Sequence, residues 1–265
     1  KWDRVLPFRK NYQAVLYRFT NLYCKVLNSY LSIVLYMKIS IIIPVFNEEN
    51  YIVEVLKKVN YQKKYYDLEI IVADDASTDN TVMLLENNNH LYDKLLKSKI
   101  NEGKGSAIIR SLDKVTGKFI LIQDADLEYD PKDYKELFLP ALNLNADVVF
   151  GSRFKGSGPK RILYFKNRFA NFVLSFLVSV LTNINFSDVE TGYKLIKSDI
   201  LKQINLTEKT FAIEIEITMK LAKKSIKFYE VGISYNGRTY EEGKKIRFKD
   251  GLIALYKIFY YKFFN

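Results

Sequence analysis

The sequence has one cysteine, Cys24, and one histidine, His90. A lone cysteine excludes a disulfide framework and a cysteine-based zinc site. A lone histidine, set in the polar run Asn87-Asn88-Asn89-His90, gives no basis for a Ser-His-Asp triad, a histidine metal cluster or histidine general-base chemistry. Five prolines and eleven glycines exclude collagen-like and low-complexity chains. Long apolar runs are missing too. The dense apolar part of the uncharged segment 169–187 is only ten residues long, 172–181, and the run 26–37 has twelve. A membrane span needs about 20. No small-residue cleavage site follows an early apolar stretch, so a secretory signal is not expected. The chain reads as cytoplasmic, peripheral at the inner face of a membrane.

What is present is enough apolar material for a core: 48% hydrophobic residues against 27% charged, in 265 residues. Disorder is excluded as the main state, and the length suits one sizeable α/β domain. The net charge of +11 is unevenly placed. Residues 1–40 carry seven basic residues against Asp3 alone, and 151–170 carry six with no acid. Basic patches beside aromatic residues suit an anionic partner: a phosphorylated ligand, an anionic membrane surface or nucleic acid. Nucleic acid would require one basic stripe with stacking platforms, and no such motif is evident, so no nucleic-acid partner is expected.

Residues 1–37 read as a basic amphipathic N-terminal extension. Met37 directly precedes the first strand, so it is one candidate for the natural start; a segment lying on lipid is the other reading. From Lys38 strands alternate with helices: strands near 39–45, 68–73, 118–123 and 146–150, with a short third strand ending at 99–100. Helices follow Asn47 (as a cap), Thr78, Lys104 and Pro131. This alternation predicts an α/β fold with a mainly parallel, Rossmann-like sheet and helices on both faces. After Gly151 the rhythm breaks into amphipathic helices near 169–181, 213–222 and 250–264 and a strand near 226–231. The helix at 169–181 has a wide apolar face and a narrow stripe of Asn171, Ser175 and Ser179. About half of that apolar face is expected to pack on the domain.

In open parallel sheets ligands bind beyond the carboxyl ends of the strands. Four strand ends here carry polar groups: Pro44-Val45-Phe46-Asn47-Glu48, Asp74-Asp75-Ala76-Ser77-Thr78-Asp79, Asn101-Glu102-Gly103-Lys104-Gly105 and Asp124-Ala125-Asp126. Each alone could be turn and cap chemistry. Together with Arg238-Thr239-Tyr240-Glu241-Glu242-Gly243-Lys244-Lys245-Ile246, the ordered set resembles the family 2 glycosyltransferases of GT-A fold, from Lys38 to the C-terminus. Within them it is most similar to the dolichol-phosphate mannose synthase group and its bacterial polyprenyl-phosphate relatives.

The resemblance implies a GT-A domain over 38–265, with a nucleotide-binding half at 38–150 and an acceptor- and membrane-facing half at 151–265. It implies that Pro44, Phe46, Glu48, Ala73, Asp75, Asn101, Lys104 and Ala125 bind the nucleotide, with Asp75 accepting hydrogen bonds from the base. Asp124 and Asp126 would hold Mg²⁺ or Mn²⁺, with Glu128 standing where the family often has Gln. Arg153, Arg161 and Arg168 would serve an acceptor phosphate, and Arg238 and Lys244 the donor diphosphate. The subgroup's Arg and Ser, four residues apart before the helix at 169–181, are replaced by Leu163 and Asn167. Oxygen donors without thiolate or imidazole favour hard cations, which neutralise a departing diphosphate.

A hydroxyl acceptor generally needs a base, whereas a phosphate monoester is mostly ionised at neutral pH. The expected reaction is therefore metal-dependent, inverting transfer of a sugar from a UDP- or GDP-sugar to a polyprenyl phosphate. Two rivals remain: transfer to a glycan hydroxyl with Asp188 as base, and a non-catalytic nucleotide-sugar-binding relative. Of two acids on the helix at 213–222, Glu216 is the better match to an inward family glutamate, ahead of Glu214.

Overall fold

The computed structural model describes residues 37–156, 160–162, 164–239, 241–243, 245 and 248–264. The expected extension at 1–36 and the candidate residues Leu163 and Lys244 lie outside the described residues. Seven strands form one sheet: β1 (Ile39–Val45), β2 (Leu68–Asp74), β3 (Lys94–Lys97), β4 (Phe119–Ile122), β5 (Val148–Ser152), β6 (Lys194–Lys197) and β7 (Phe228–Gly232). Their order is β3-β2-β1-β4-β6-β5-β7. All pairings are parallel except those of β6, which runs antiparallel to both β4 and β5.

The central strands are near-continuous Ile, Leu and Val because both faces are covered. Successive side chains alternate between the faces. Ile41, Ile43, Ile70 and Val72 enter one core with α1 (Ile52–Tyr61) and α4 (Tyr134–Asn143). Ile42, Ile71, Ile120 and Ile122 enter the other with α3 (Lys104–Leu112), α5 (Phe165–Thr182), α7 (Ile213–Leu221) and α8 (Phe248–Phe263). The short helices α2 (Thr81–Asn87) and α6 (Ser198–Lys202) complete the set. This is the expected α/β sandwich, of GT-A form, with its switch point between β1 and β4.

Several local expectations are corrected. Asn47 does not cap a helix: it sits at φ +50° and its carboxamide accepts from Thr78 N at 2.8 Å. Helix α1 starts only at Ile52, and α2 at Thr81, because the loops between are committed to each other. Asn47 N donates to Ser77 Oγ, Glu48 N to Thr81 Oγ1 and Glu49 N to Asp79 Oδ2. The short third strand, β3, lies at Lys94–Lys97 and ends just before the expected 99–100; Ser98 N bonds back to Asp74 O and the chain turns out, leaving Ile100 exposed. Pro131 does open a turn at its first position, with Asp130 accepting from Lys132 N, and α4 follows it.

Helix α5 turns Leu174 and Val178 inward. Its polar residues Asn171 and Ser175 are buried, while Phe165, Phe172 and Phe176 are 78%, 63% and 56% exposed. The phenylalanines stack in pairs along the outside, Phe165 on Phe169 and Phe172 on Phe176. Helix α8 packs beside α5, and Lys262 Nζ donates to Leu181 O. It carries exposed Leu252, Tyr256, Phe259 and Phe263 of its own. Among the described residues no helix is long and apolar enough to cross a membrane.

Candidate active site

The carboxyl ends of β1, β2 and β4 bring three polar loops together. Pro44 pairs with Ala73 in the β1–β2 register, so the loops after both strands emerge side by side. Pro44 and Ala73 are buried and Phe46 is half-buried at the lip. Asp75, expected to read the base, has its carboxylate engaged within the chain. Oδ2 accepts from Glu102 N at 3.0 Å and Gly103 N at 2.5 Å, and Oδ1 from Arg110 at 2.9 Å. Asn101 donates to Asp75 O. Asp75 thus ties the loop before α3 to Arg110 on α3 itself, a partner unforeseen from the sequence.

Glycine is required in that loop. Gly103 sits at φ +105°, and Cβ atoms at Gly103 and Gly105 would collide with the carbonyls of Lys209 and Glu208. This close approach seats Lys104 at the first turn of α3. Its ammonium lies 2.6 Å from Asp124 Oδ1 and 2.9 Å from Glu214 Oε1.

Gln123 fixes the floor beneath the aspartates. Its carboxamide oxygen accepts from Tyr134 at 2.8 Å and Tyr193 at 2.6 Å, and its amide donates to Asp124 O. Ala125 is buried. Asp124 and Asp126 face different cations: Asp124 meets Lys104, and Asp126 meets Arg238 at 2.8 Å. Arg238 also reaches Glu48 at 3.2 Å, its N–H donates to Glu128 at 2.7 Å, and it lies over the Tyr51 ring. Lys245 pairs with Glu48 at 2.6 Å and bonds Phe46 O. Tyr235 donates to the other Glu128 oxygen.

Acids outnumber their partners here. Burial, with Glu128 and Asp124 adding repulsion, pushes Asp126 up to about 7 despite Arg238. Arg238 Nε is buried without a hydrogen-bond acceptor. A set of carboxylate oxygens with surplus negative charge fits a hard divalent cation. Among the described residues no three carboxylates converge as a ready ligand shell, because arginine and lysine now lie against them.

The acceptor-side residues divide. Arg153 makes a two-pronged pair with the fully buried Asp188, 2.7 Å on each oxygen, and its backbone N–H donates there too. Its guanidinium also lies over the Tyr235 ring, next to Glu128. Asp188 is therefore sealed rather than presented to solvent. Arg161 pairs with Glu242 at 2.6 Å and bonds Gly237 O, bracing the segment that carries Arg238. Arg168 is exposed beside Phe154. The preference for Glu216 over Glu214 is reversed. Glu216 ties Thr207 N, Glu208 N and Lys220, while Glu214 faces Lys104. Lys194, a fully buried cation 2.5 Å from Glu214, was not foreseen from the sequence.

Clustered carboxylates and basic residues thus meet at the carboxyl ends of β1, β2 and β4. The family model for Glycosyl transferase family 2 matches residues 40–204, and the chain belongs to that family. It is 33% identical over 226 residues to an uncharacterized protein of Methanocaldococcus jannaschii, covering 77% of this chain and 93% of that one. It is 26% identical over 211 residues to the dolichol-phosphate mannosyltransferase of Pyrococcus furiosus, covering 78% of this chain and 59% of that longer protein. Its fold matches glucosyl-3-phosphoglycerate synthase from Mycobacterium tuberculosis in complex with Mn²⁺, UDP-glucose and phosphoglyceric acid. The TM-score is 0.69 at 16% identity, over 88% of this chain and 80% of that one.

Proposed function

We propose that this chain is an inverting, metal-dependent glycosyltransferase that moves a sugar from a UDP- or GDP-sugar to a polyprenyl phosphate at the cytosolic face of a membrane. The observation that carries the acceptor assignment is the outward phenylalanine face of α5, a helix that packs beside α8 and that the basic segment 160–168 leads into. An α/β domain that buries asparagine and serine and exposes phenylalanine has an apolar phase to meet. Basic residues beside it favour an anionic surface or headgroup. The likeness to a dolichol-phosphate mannosyltransferase supports the same acceptor class. The nucleotide-binding half is 38–150 and the acceptor half 151–265.

The donor's base and ribose lie between the β1 and β2 loops, against Phe46, Glu48 and Arg110. Asp124 and Asp126, with Glu128 beside them, would hold Mg²⁺ or Mn²⁺, which supplies charge neutralisation to the diphosphate when bound. The Mn²⁺ in the structurally similar synthase supports this choice. Arg238 and Lys245 stand at the same rim; their positive charge, with that of Lys244 as the resemblance implies, favours the departing nucleoside diphosphate. An oxygen of the ionised acceptor phosphate attacks the anomeric carbon from the face opposite the leaving group. The bond to the diphosphate oxygen breaks, its electron pair leaves with the nucleoside diphosphate, and configuration inverts. No proton need be removed from the attacking oxygen. The engagement of both Asp188 oxygens by Arg153 argues against the glycan-hydroxyl rival, which requires Asp188 as a base.

The test is a donor-by-acceptor screen with the purified chain and Mn²⁺ or Mg²⁺. We expect transfer to short-chain prenyl phosphate, and its loss in chelator. Transfer to a hydroxyl acceptor with prenyl phosphate ignored, or full turnover in chelator, overturns the reading.

A further inference from the structure

The Asp124 end of the site is held by a line of alternating charges running into the core. Asp124 Oδ1 meets Lys104, Lys104 meets Glu214, and Glu214 Oε2 meets Lys194. Lys104 is 11% exposed, Glu214 4% and Lys194 0% at the side chain. Lys194 is also bonded to Val189 O and Thr191 O. Those carbonyls belong to the turn that places Gly192 against Asp124, where a Cβ would collide with Oδ2. One buried lysine therefore braces Asp124 twice, through Glu214 and through the turn.

The arrangement has a functional consequence. An ammonium on Asp124 Oδ1 competes with any cation that needs that oxygen. Were Asp124 its sole carboxylate, Lys104 would have to give up its only close anion in a nearly dry site, at large cost. Glu214 removes that obstacle because it already touches the same nitrogen. Lys194 keeps Glu214 ionised and fixed in place at the first turn of α7, where a neutral, mobile side chain could not serve.

We infer that Glu214, anchored by Lys194, is a positioning residue that gives Lys104 a second carboxylate, so that Asp124 can yield its oxygen to a divalent cation. The inference rests on the metal reading proposed above and assigns it a residue with no ligand role of its own. It explains why a buried Lys–Glu pair sits behind a cluster already rich in acids, where an apolar pair would pack as well.

The experiment is Mn²⁺ binding by electron paramagnetic resonance, with the metal alone and no nucleotide, on the full chain. Glu214→Gln is expected to weaken Mn²⁺ binding at least tenfold, because Lys104 then has only Asp124. Adding Lys104→Met to Glu214→Gln removes the competing ammonium and should restore binding to within about threefold of wild type, a rescue that a merely structural Glu214 would not allow. If Glu214→Gln does not fold, Glu214→Asp carries the test: it keeps the charge beside Lys194 but is too short to reach Lys104, and the same weakening and rescue are expected. Binding by either single variant within twofold of wild type, or no rescue by Lys104→Met, overturns this inference alone. Absence of Mn²⁺ binding by the wild-type chain overturns the metal reading, and the inference with it.

Discussion

Glu69, near the amino end of β2, and Asp126, just past the carboxyl end of β4, are nearly buried carboxylates on opposite rims of one sheet. Burial pushes both upward, yet they end in opposite states. At Glu69 the burial penalty is overcome by Lys94, Ser40 and Thr116, whose hydrogen bonds bring it down to about 2. At Asp126 burial is joined by repulsion from Glu128 and Asp124, and one shared guanidinium leaves it near 7. One rim satisfies its acid with donors on several sides; the other gathers acids faster than it supplies cations. A domain with one rim built for stability and the other left short of positive charge places its chemistry at the second.

The comparison can be broken most strongly at Asp124. Asp124→Asn should lower kcat by roughly a thousandfold, about 4 kcal/mol of transition-state stabilisation. Its melting temperature should be unchanged or higher, because one carboxylate of a crowded, half-buried acidic cluster is gone; a large drop in melting temperature would place Asp124 with Glu69. Asp188 sharpens the contrast, since it lies on the functional side but is paired as fully as Glu69. Asp188→Asn should destabilise the fold by about 3 kcal/mol in denaturant titration, because it leaves Arg153 buried without its counter-charge. Its remaining folded fraction should still turn over lipid phosphate at near-normal kcat. Collapse of kcat at full folding would return Asp188 to the role of base.

Glu69→Gln should cost about 1–3 kcal/mol of stability and leave kcat alone. The same residue gives a pH signature. Its folded value lies below its unfolded one of 4.5, so its contribution is present above that value and disappears as pH falls toward about 2. Wild type should lose stability through that acid window, and Glu69→Gln should show a shallower loss there. The smallest effect on stability is expected on the outer face: Phe172→Ser with Phe176→Ser should leave the melting temperature within a few degrees. That pair should release the protein from anionic vesicles in a sedimentation assay, and unaltered vesicle binding would remove α5 from the membrane surface.

The parallel half of the sheet was legible because its strands are uninterrupted Ile, Leu and Val bounded by polar turns. The polar strand ends were legible for the same reason, since they follow those strands directly. Strand β6 was not. Lys194-Leu195-Ile196-Lys197 is short, flanked by lysines and inserted against the running direction, so neither alternation nor length marks it. The Glu214–Lys194 pair was hidden because it joins residues twenty apart whose meeting depends on β6. On α5, periodicity identified two faces correctly but carries no sign for which one looks inward. Phe169, Phe172, Phe176 and Val180, on the face expected to meet either the domain or a prenyl chain and bilayer, are all exposed. Asn47 misled because Asn suits both a cap and a left-handed turn, and the deciding partner, Thr78, lies on another strand's loop.

Gln123 has a last implication. Two phenols share its one carboxamide oxygen, and its nitrogen holds the carbonyl of the next residue. The chain is therefore pinned at the point where the strand hands over to the loop. Any adjustment to a different sugar or base must take place downstream of that pin or on the opposing loops. Relatives with other donors could thus diverge around a common fixed origin, and engineering of donor choice should leave those three side chains untouched.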